Sequence, residues 1–192
     1  MTLSISVAQD GDVEHAELIS GWYLESSKER GTGIAVRTPE YLTTRIRNGN
    51  SVIAKDGDTP VGFCYIEVFQ DKQYVSNSGL IIHKTYRGKG LSRKIKTFTF
   101  NLAREKFPNA KIFGITTSEI VMRLNSELGY LPVPLYRLTQ DLVFWNGCSS
   151  CKNYHILTEN ERKMCLCTGM LYQQKATPPS ETANTETDES KE

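Results

Sequence analysis

The residues best suited to chemistry lie between Val75 and Phe107, where an apolar run leads through a glycine-rich turn into an amphipathic segment. Gly88 and Gly90 let the backbone turn tightly. Such a turn leaves unpaired N–H groups at the start of the following helix, and Arg87 and Lys89 add positive charge beside them. Oriented amides and cations together favour an anion such as phosphate. A glycine at a helix start also serves geometry alone, and this alternative stays open.

The segments on either side of this turn predict the elements that would hold it in place. Residues 75–83 are mostly apolar and predict a strand. In the following helix the apolar residues recur at spacings of four, three and four. This spacing predicts a buried stripe of Leu91, Ile95, Phe98 and Leu102, with Arg93, Lys94 and Lys96 outside it.

The remaining chain predicts further helices and strands around this unit. Helical periodicity covers residues 12–28, and Thr38 followed by Pro39 is typical of the start of a second helix. Two β-rich runs, 51–55 and 60–70, flank an Asp-Gly turn and predict a hairpin. A strand over 111–116 and a helix over 118–128 follow. The order of elements predicts an α+β fold.

The turn residues Arg87-x-x-Gly90-x-Ser92 resemble the cofactor loop of the GNAT superfamily of acyl-CoA-dependent N-acyltransferases. The resemblance covers residues 3–140 and implies the GNAT fold, a mixed and mostly antiparallel sheet flanked by helices. It implies acetyl-CoA or another acyl-CoA as co-substrate. The pyrophosphate would be held by Arg87, Gly88, Lys89, Gly90, Leu91 and Ser92, and the pantetheine arm by Leu80, Ile81 and Ile82.

The same resemblance implies where acyl transfer takes place. The segment 79–86 should splay from its partner strand, and the thioester should enter the gap. A backbone N–H near Ile82 would polarise the thioester carbonyl. Glu67 is a candidate base, although a solvated strand glutamate is an open alternative. The tyrosine with which the family protonates the thiolate falls at Asn125, which leaves the proton donor open.

A narrower resemblance concerns the acceptor. The run from Glu29 to Thr38 and the strand end 112–117 are similar to bacterial N-acetylglutamate synthase, which implies that Arg37 binds the acceptor carboxylate. An arginine beside a helix start is also common on surfaces. We therefore expect transfer of an acetyl or succinyl group to the α-amine of an amino acid such as L-glutamate, a step of amino-acid biosynthesis. The alternatives are protein or polyamine amines as acceptors, and a non-catalytic acyl-CoA-binding module.

Four of the five cysteines lie in the C-terminal part of the chain, as Cys148-x-x-Cys151 and Cys165-x-Cys167. This pattern is close to that of a four-cysteine zinc site, and it predicts a structural zinc ion. Reduced thiols are the open alternative. We expect an acyltransferase domain over 1–140, a cysteine-rich extension over 141–173 and a disordered acidic tail over 174–192.

Composition narrows the classes of partner. The 192 residues carry a formal net charge of +1, which gives no electrostatic footprint for nucleic acid. No apolar run is long enough to span a membrane, and the first ten residues do not have the layout of a signal peptide. We therefore expect a cytoplasmic enzyme with a small-molecule amine as partner. The sequence leaves the oligomeric state open, with a homodimer among the alternatives.

Overall fold

The computed structural model of the chain describes residues 2–30 and 34–173. Its strands are β1 Leu3–Val7, β2 Ser51–Asp56, β3 Thr59–Phe69, β4 Tyr74–Ile82, β5 Lys111–Thr116, β6 Leu131–Val133 and β7 Thr168–Tyr172. Its α-helices are α1 Ala16–Arg30, α2 Pro39–Arg47, α3 Leu91–Lys106, α4 Glu119–Glu127, α5 Leu142–Asn146 and α6 Tyr154–Glu159. Short 3₁₀ helices cover Asp10–His15, Lys84–Tyr86 and Leu135–Arg137.

The described strands form one sheet in the order β1-β2-β3-β4-β5-β7-β6. β4 and β5 are parallel, and the other neighbouring strands are antiparallel. A parallel pair needs a crossover connection, which α3 supplies. The predicted fold, a mixed and mostly antiparallel sheet flanked by helices, is confirmed.

Local sequence signals explain where several elements begin. The Thr38 hydroxyl accepts a hydrogen bond of 3.2 Å from the backbone N–H of Tyr41, and Pro39 is the first residue of α2. Ser118 caps α4 in the same way through the N–H of Val121. Side-chain caps of this kind satisfy backbone donors that have no partner within the helix.

The sheet carries a different set of helices on each face. On one face α3 packs on a core that includes Val52, Cys64 and Ile66. On the other face α1 and α2 pack on a core that includes Phe63 and Tyr65. Because alternate strand residues point to opposite faces, β3 contributes to both cores. The cofactor loop before α3 and the segment before α2 are therefore attached to opposite faces.

The segment 141–173, predicted as an extension of the domain, contributes to the sheet itself. Its strand β7 pairs with both β5 and β6. Its helices α5 and α6 supply Trp145 and Leu157 to a third core that also contains Phe69 and Phe113. Phe69 has the strand parity of Tyr65, so this core lies on the α1 and α2 face. The sheet is therefore incomplete at residue 140.

The predicted pattern of α3 is wrong at two positions. Leu91, Ile95 and Leu102 are buried as expected, but Phe98 is 36% exposed and Lys96 only 2% exposed. The buried side of α3 also includes residues on the flank that carries Lys96, namely Thr99, Phe100 and Ala103. The ammonium of Lys96 can be buried there because backbone and amide oxygens accept its hydrogen bonds.

Two of the predicted segments lie outside the described residues. Gly31, Thr32 and Gly33 of the proposed acceptor loop are among them, and so is the tail 174–192. Among the residues that are described, no helix has the length and apolar character needed to cross a bilayer.

Candidate active site

The central feature of the site is a fork between β4 and β5. The two strands pair only at three positions, the last of which joins Ser76 to Phe113. From Asn77 onward β4 leaves β5, while it remains paired with β3 as far as Ile82. The predicted splay is therefore present, and it exposes one edge of β4 to a ligand.

A bulge in β4 lies at the opening of this fork. Tyr65 pairs with Ser78 and Phe63 pairs with Ile81, so β4 has one more residue than β3 between these pairs. Gly79 lies in the bulge with φ +66°, and a Cβ atom there would be 2.1 Å from Cε1 of Tyr65. Only glycine fits this backbone conformation under the Tyr65 ring. From α1, the Tyr23 hydroxyl donates a hydrogen bond to the Gly79 carbonyl.

Beyond the bulge the backbone of β4 presents polar groups to the open side. The N–H of His83 donates to the carbonyl of Val61 at 2.9 Å, which makes the neighbouring pair, Gly62 and Ile82, non-hydrogen-bonded. The Ile82 N–H and carbonyl therefore point away from β3. Nε of Arg87 donates to that carbonyl at 3.3 Å. The orientation of the N–H suits the predicted role of Ile82 at the thioester carbonyl, and the roles of Leu80, Ile81 and Ile82 stay predictions.

The glycine-rich loop has the conformation expected of an anion site. Gly88 and Gly90 have φ values of +78° and +76°, and a Cβ atom at either would meet nothing within 4 Å. Glycine is needed there for backbone conformation rather than for space. The loop ends at Leu91, which is buried, and Ser92, which is half-buried, where the N–H groups of the first turn of α3 begin.

The two cations of this loop already have neighbours in the protein. Nη1 of Arg87 lies 3.1 Å from a carboxylate oxygen of Glu29 in α1. Nζ of Lys89 lies 5.2 Å from the ring centroid of Tyr86. Both side chains are exposed, so a pyrophosphate can recruit them from these contacts.

A cavity of about 130 Å³ lies between α3 and α4, on the α3 face of the sheet. Arg93 of α3 and Glu127 of α4 line it and form a salt bridge of 2.7 Å. The cavity is also lined by Lys96, Thr97, Leu124 and Leu128.

On the opposite face, Arg37 lies in a cluster of tyrosines. Its Nε donates to the hydroxyl of Tyr65, and its guanidinium carbon lies 5.5 Å from the ring centroid of Tyr41. Burial raises the pKa of Tyr23 and of Tyr65, so these phenols stay neutral. Arg37 pairs with no carboxylate of the described residues.

Glu67 lies on the same face as Arg37 and is bound by a second arginine. Its carboxylate accepts a hydrogen bond from Nη2 of Arg45, and the Arg45 guanidinium lies 4.1 Å from the ring centroid of Tyr41. The side chain of Glu67 is 18% exposed. This contact with Arg45 fixes the position of the Glu67 carboxylate on the Arg37 face of the sheet.

The zinc prediction for Cys148, Cys151, Cys165 and Cys167 is not supported. No group of three or more candidate ligands within residues 2–30 and 34–173 is placed to hold a metal ion. Burial and the neighbouring thiols raise the pKa of Cys148 to about 11 and the pKa of Cys167 to about 12.

Sequence reasoning missed two residues of the site. The phenol of Tyr65 joins Arg37 to the bulge, but its alternating strand position gave no sign of this. Lys96 reaches the fork from α3, although three cations in that turn of the helix suggested a solvated face. At 3.6 residues per turn Lys96 lies about 140° around the helix from Leu91, away from the predicted stripe, so the helical pattern gave no sign of its burial.

Residues 16–120 match the sequence profile of the acetyltransferase (GNAT) family. A search of curated protein sequences found no significant match.

Solved structures share the fold at low sequence identity. N-acetylglutamate synthase from Neisseria gonorrhoeae, complexed with coenzyme A and N-acetyl-glutamate, is 16% identical with a TM-score of 0.64. The match covers 90% of this chain but only 35% of the synthase chain. Rv2747 from Mycobacterium tuberculosis, in complex with CoA and a second ligand, is 15% identical over 90% of this chain and 99% of its own, with a TM-score of 0.63.

A third solved structure is the ribosomal-protein-S18-alanine N-acetyltransferase from Escherichia coli. It is 11% identical with a TM-score of 0.59, over 93% of this chain and 98% of its own. Such identities show a shared fold and leave the acceptor to be argued from the site.

Proposed function

Since the chain belongs to the acetyltransferase (GNAT) family, we propose that this acyl-CoA-dependent N-acyltransferase acylates the α-amine of a free amino acid such as L-glutamate. The observation that carries this proposal is the unpaired guanidinium of Arg37. A half-buried cation without a counter-ion is costly unless a ligand supplies the negative charge. A planar guanidinium binds a carboxylate through two parallel hydrogen bonds, so a carboxylate fits Arg37 well.

The position of Arg37 suits an α-amino acid. Tyr65 accepts a hydrogen bond from Arg37 with its hydroxyl, and its ring covers Gly79 in the bulge. The Tyr65 side chain therefore spans the distance between the guanidinium of Arg37 and the fork. An amino acid that binds Arg37 through its α-carboxylate would bring its amine close to the thioester. The synthase from N. gonorrhoeae, which was solved with N-acetyl-glutamate, favours glutamate among the amino acids.

The surroundings of Arg37 disfavour the other acceptors. Its uncompensated charge would repel a polyamine, which is itself a cation. The segment before α2 is held from two sides, since Ser20 donates to the Arg37 carbonyl at 2.6 Å and the Val36 N–H donates to Ser150 at 2.9 Å. The loop that carries Ser150 thus borders the acceptor side of the site and leaves less room there for a protein substrate. A protein acceptor, as named for the enzyme from E. coli, is the second candidate.

In the proposed reaction each candidate residue has one task. The loop 87–92 holds the pyrophosphate of acetyl-CoA or succinyl-CoA, and residues 80–82 pair with the pantetheine arm. The N–H of Ile82 binds the oxyanion, and Glu67 takes the amine proton directly or through water. We place the reaction in the cytoplasm, where thiols stay reduced, because all five cysteines are unpaired.

The test is a thiol-release assay with acetyl-CoA or succinyl-CoA and a panel of amino acids, polyamines and short peptides. We expect turnover with L-glutamate and none with polyamines. Arg37→Ala should raise the KM for glutamate by about 30-fold or more, since losing one partner of a buried charge pair costs about 2 kcal/mol or more. The KM for acyl-CoA should change little.

Arg47→Ala is the matched control, because Arg47 lies on α2 but is 62% exposed, and among the described residues its guanidinium pairs with Asp10 alone, at 3.3 Å. It should leave both KM values unchanged. An equal rise of both KM values in Arg37→Ala would contradict a role at the acceptor. Turnover confined to peptides would replace the amino acid by a protein acceptor.

A further inference from the structure

Lys96 is a buried cation on the cofactor side of the sheet with no counter-ion. It lies in α3 and is 2% exposed. Its Nζ donates to the backbone carbonyl of Asn77 at 3.0 Å and to the Oδ1 atom of the same residue at 3.1 Å. No carboxylate of the described residues pairs with it. Neutral oxygens solvate the ammonium but do not neutralise it, and an anion would stabilise it further.

The ammonium lies at the point where the sheet opens. Asn77 is the first residue of β4 beyond the last pair with β5. Two residues later β4 reaches the bulge at Gly79. Lys96 also lines the cavity between α3 and α4. One side chain thus joins the fork, where the thioester is expected, to the groove on the α3 face.

Several polar atoms beside Lys96 have no hydrogen-bond partner in the described part of the chain. They are the side-chain nitrogen of Asn77, the side-chain oxygen of Asn125 and the hydroxyl of Tyr130, all of them buried. A buried polar group without a partner costs about 1–3 kcal/mol. The Tyr130 phenol lies close enough to the Asn77 side chain to share a hydrogen bond with it, so the Asn125 oxygen is the atom that calls for a further polar partner.

We propose that Lys96 donates the proton that the coenzyme A sulfur takes up when the thioester breaks. This inference rests on the acyl-CoA reaction of the proposed function and not on the identity of the amine. The amine nitrogen attacks the thioester carbon, and a C–N bond forms as the carbonyl electrons move to oxygen. When the C=O bond re-forms, the C–S bond breaks and its electron pair stays on sulfur. Nζ of Lys96 gives that sulfur a proton and becomes a neutral amine.

The remaining protons also balance. The proton of the attacking amine passes to Glu67 or to water, and Lys96 regains a proton from solvent when the products leave. The free thiol and the amide are the products. No other reactant is needed.

The surroundings of Lys96 suit a proton donor to a thiolate. Burial lowers the pKa of Lys96 from its ordinary value, so its ammonium gives up a proton more readily than that of an exposed lysine. The titratable groups that face this region are the Cys64 thiol on β3, the Tyr130 phenol before β6, and the Arg93 and Glu127 pair at the cavity. Burial raises the pKa of Cys64 and of Tyr130, so both stay neutral, and Lys96 is the cation that contacts β4 where the fork begins.

Asn125 explains why another group is needed. The resemblance to the GNAT superfamily implies that the family's proton-donating tyrosine falls at this position, and an amide cannot take over its acid chemistry. Asn125 instead donates to the sulfur of Met170 at 3.5 Å. Lys96 enters the same region from the neighbouring helix.

The first test needs no amine. Coenzyme A is bound to the wild type, to Lys96→Gln and to Lys96→Met, and the ultraviolet absorbance of the thiolate is followed against pH. An ammonium beside the sulfur favours the thiolate, so the bound thiol should ionise about one pH unit lower in the wild type than in either variant. Lys96→Gln can still donate hydrogen bonds to Asn77, whereas Lys96→Met keeps the length of the side chain, so at least one variant should fold.

The second test uses turnover. Both variants should lower kcat by about 100-fold, the lower range for a lost proton donor, with KM changed less than threefold. Lys94→Met, at an exposed position of the same helix, is the matched control and should retain its kcat.

The outcomes separate this inference from the proposed function. The same thiol titration in the wild type and both variants would overturn the role of Lys96, and so would a loss of kcat in Tyr130→Phe alone. Failure of the wild type to bind coenzyme A would overturn the acyl-CoA reaction and this inference together. A thiol titration that shifts as expected, in a protein that shows no turnover with amino acids, would support the role of Lys96 and refute only the proposed amino-acid acceptor.

Discussion

Replacing Gly79 by alanine tests whether the bulge in β4 holds the fork open as the structure indicates. The substitution adds one methyl group at a residue with φ +66°, and its Cβ atom would lie 2.1 Å from Cε1 and 2.7 Å from Cδ1 of Tyr65. The ring cannot move away freely, because Tyr65 is fully buried and its hydroxyl is bound by Arg37. Either the bulge or the ring must be displaced.

The expected cost has two parts. A left-handed conformation costs a residue other than glycine about 1–2 kcal/mol. Overpacking a buried site adds about 1–3 kcal/mol. The sum is about 3 kcal/mol, which lowers the Tm by about 6–12 °C in a chain of this size.

Two other glycines separate the two parts. Gly57 has φ +59° and would meet nothing within 4 Å, so Gly57→Ala carries only the conformational cost. Gly62 has no positive φ but would bring its Cβ atom within 2.5 Å of Cδ1 of Ile95, so Gly62→Ala carries only the packing cost. Thermal unfolding of all three variants by calorimetry should rank Gly79→Ala as the least stable. A Tm for Gly79→Ala equal to that of Gly57→Ala would refute the inference that the Tyr65 ring packs directly over the bulge.

Two further predictions concern the cofactor loop and the edge of the fold. Gly90→Val should abolish coenzyme A binding in calorimetry while the protein stays folded, because Gly90 has φ +76° and open space around it. Unchanged affinity would refute the loop assignment. Gly57→Val is the control for strain alone. Burial alone would raise the pKa of Asp12. Hydrogen bonds from Lys55 at 2.7 Å and from the Gln9 N–H at 2.8 Å outweigh burial and lower this pKa below its ordinary value. A carboxyl group whose pKa is lower in the folded than in the unfolded state stabilises the fold at pH values above its unfolded-state pKa of about 4. This stabilisation is lost as the pH falls through the pKa of the folded state. In urea unfolding, Asp12→Asn should therefore cost about 1 kcal/mol at neutral pH and progressively less below about pH 4; a constant difference would contradict the ion pair.

The fold was largely predictable because its signals are local. The cap at Thr38, the turn at Gly57 and the glycines of the loop each determine the backbone within a few residues, and the structure places α2, the β2–β3 hairpin and α3 there. β7 was missed because its partners are β5 and β6, whose paired residues are 52 to 60 and 36 to 40 positions away in the sequence. Nothing within five residues of Thr168 indicates this pairing.

The site was predictable only where it depends on backbone. The conformation of the loop 87–92 follows from its glycines, whereas the fork was expected only through the resemblance to the GNAT superfamily. Predicting the roles of Arg37 and Lys96 requires knowing which long side chains are buried and which are solvated. This is decided by contacts with Tyr65 and Asn77, residues 28 and 19 positions away. A helical pattern cannot report such contacts, so Lys96 was assigned to the solvent.

The two buried cations lie on opposite faces of the sheet. Arg37 belongs to the face of α1 and α2 through its contact with Tyr65, and Lys96 belongs to the face of α3 through its contact with Asn77. A sheet separates its two faces wherever its strands are paired, and β4 leaves β5 only from Asn77 onward. An acceptor carboxylate at Arg37 and a sulfur beside Lys96 can therefore belong to the same reaction only across this fork. The glycine in the bulge lies at this boundary, where a Cβ atom would come within 2.1 Å of the Tyr65 ring and within 2.9 Å of the Tyr23 hydroxyl.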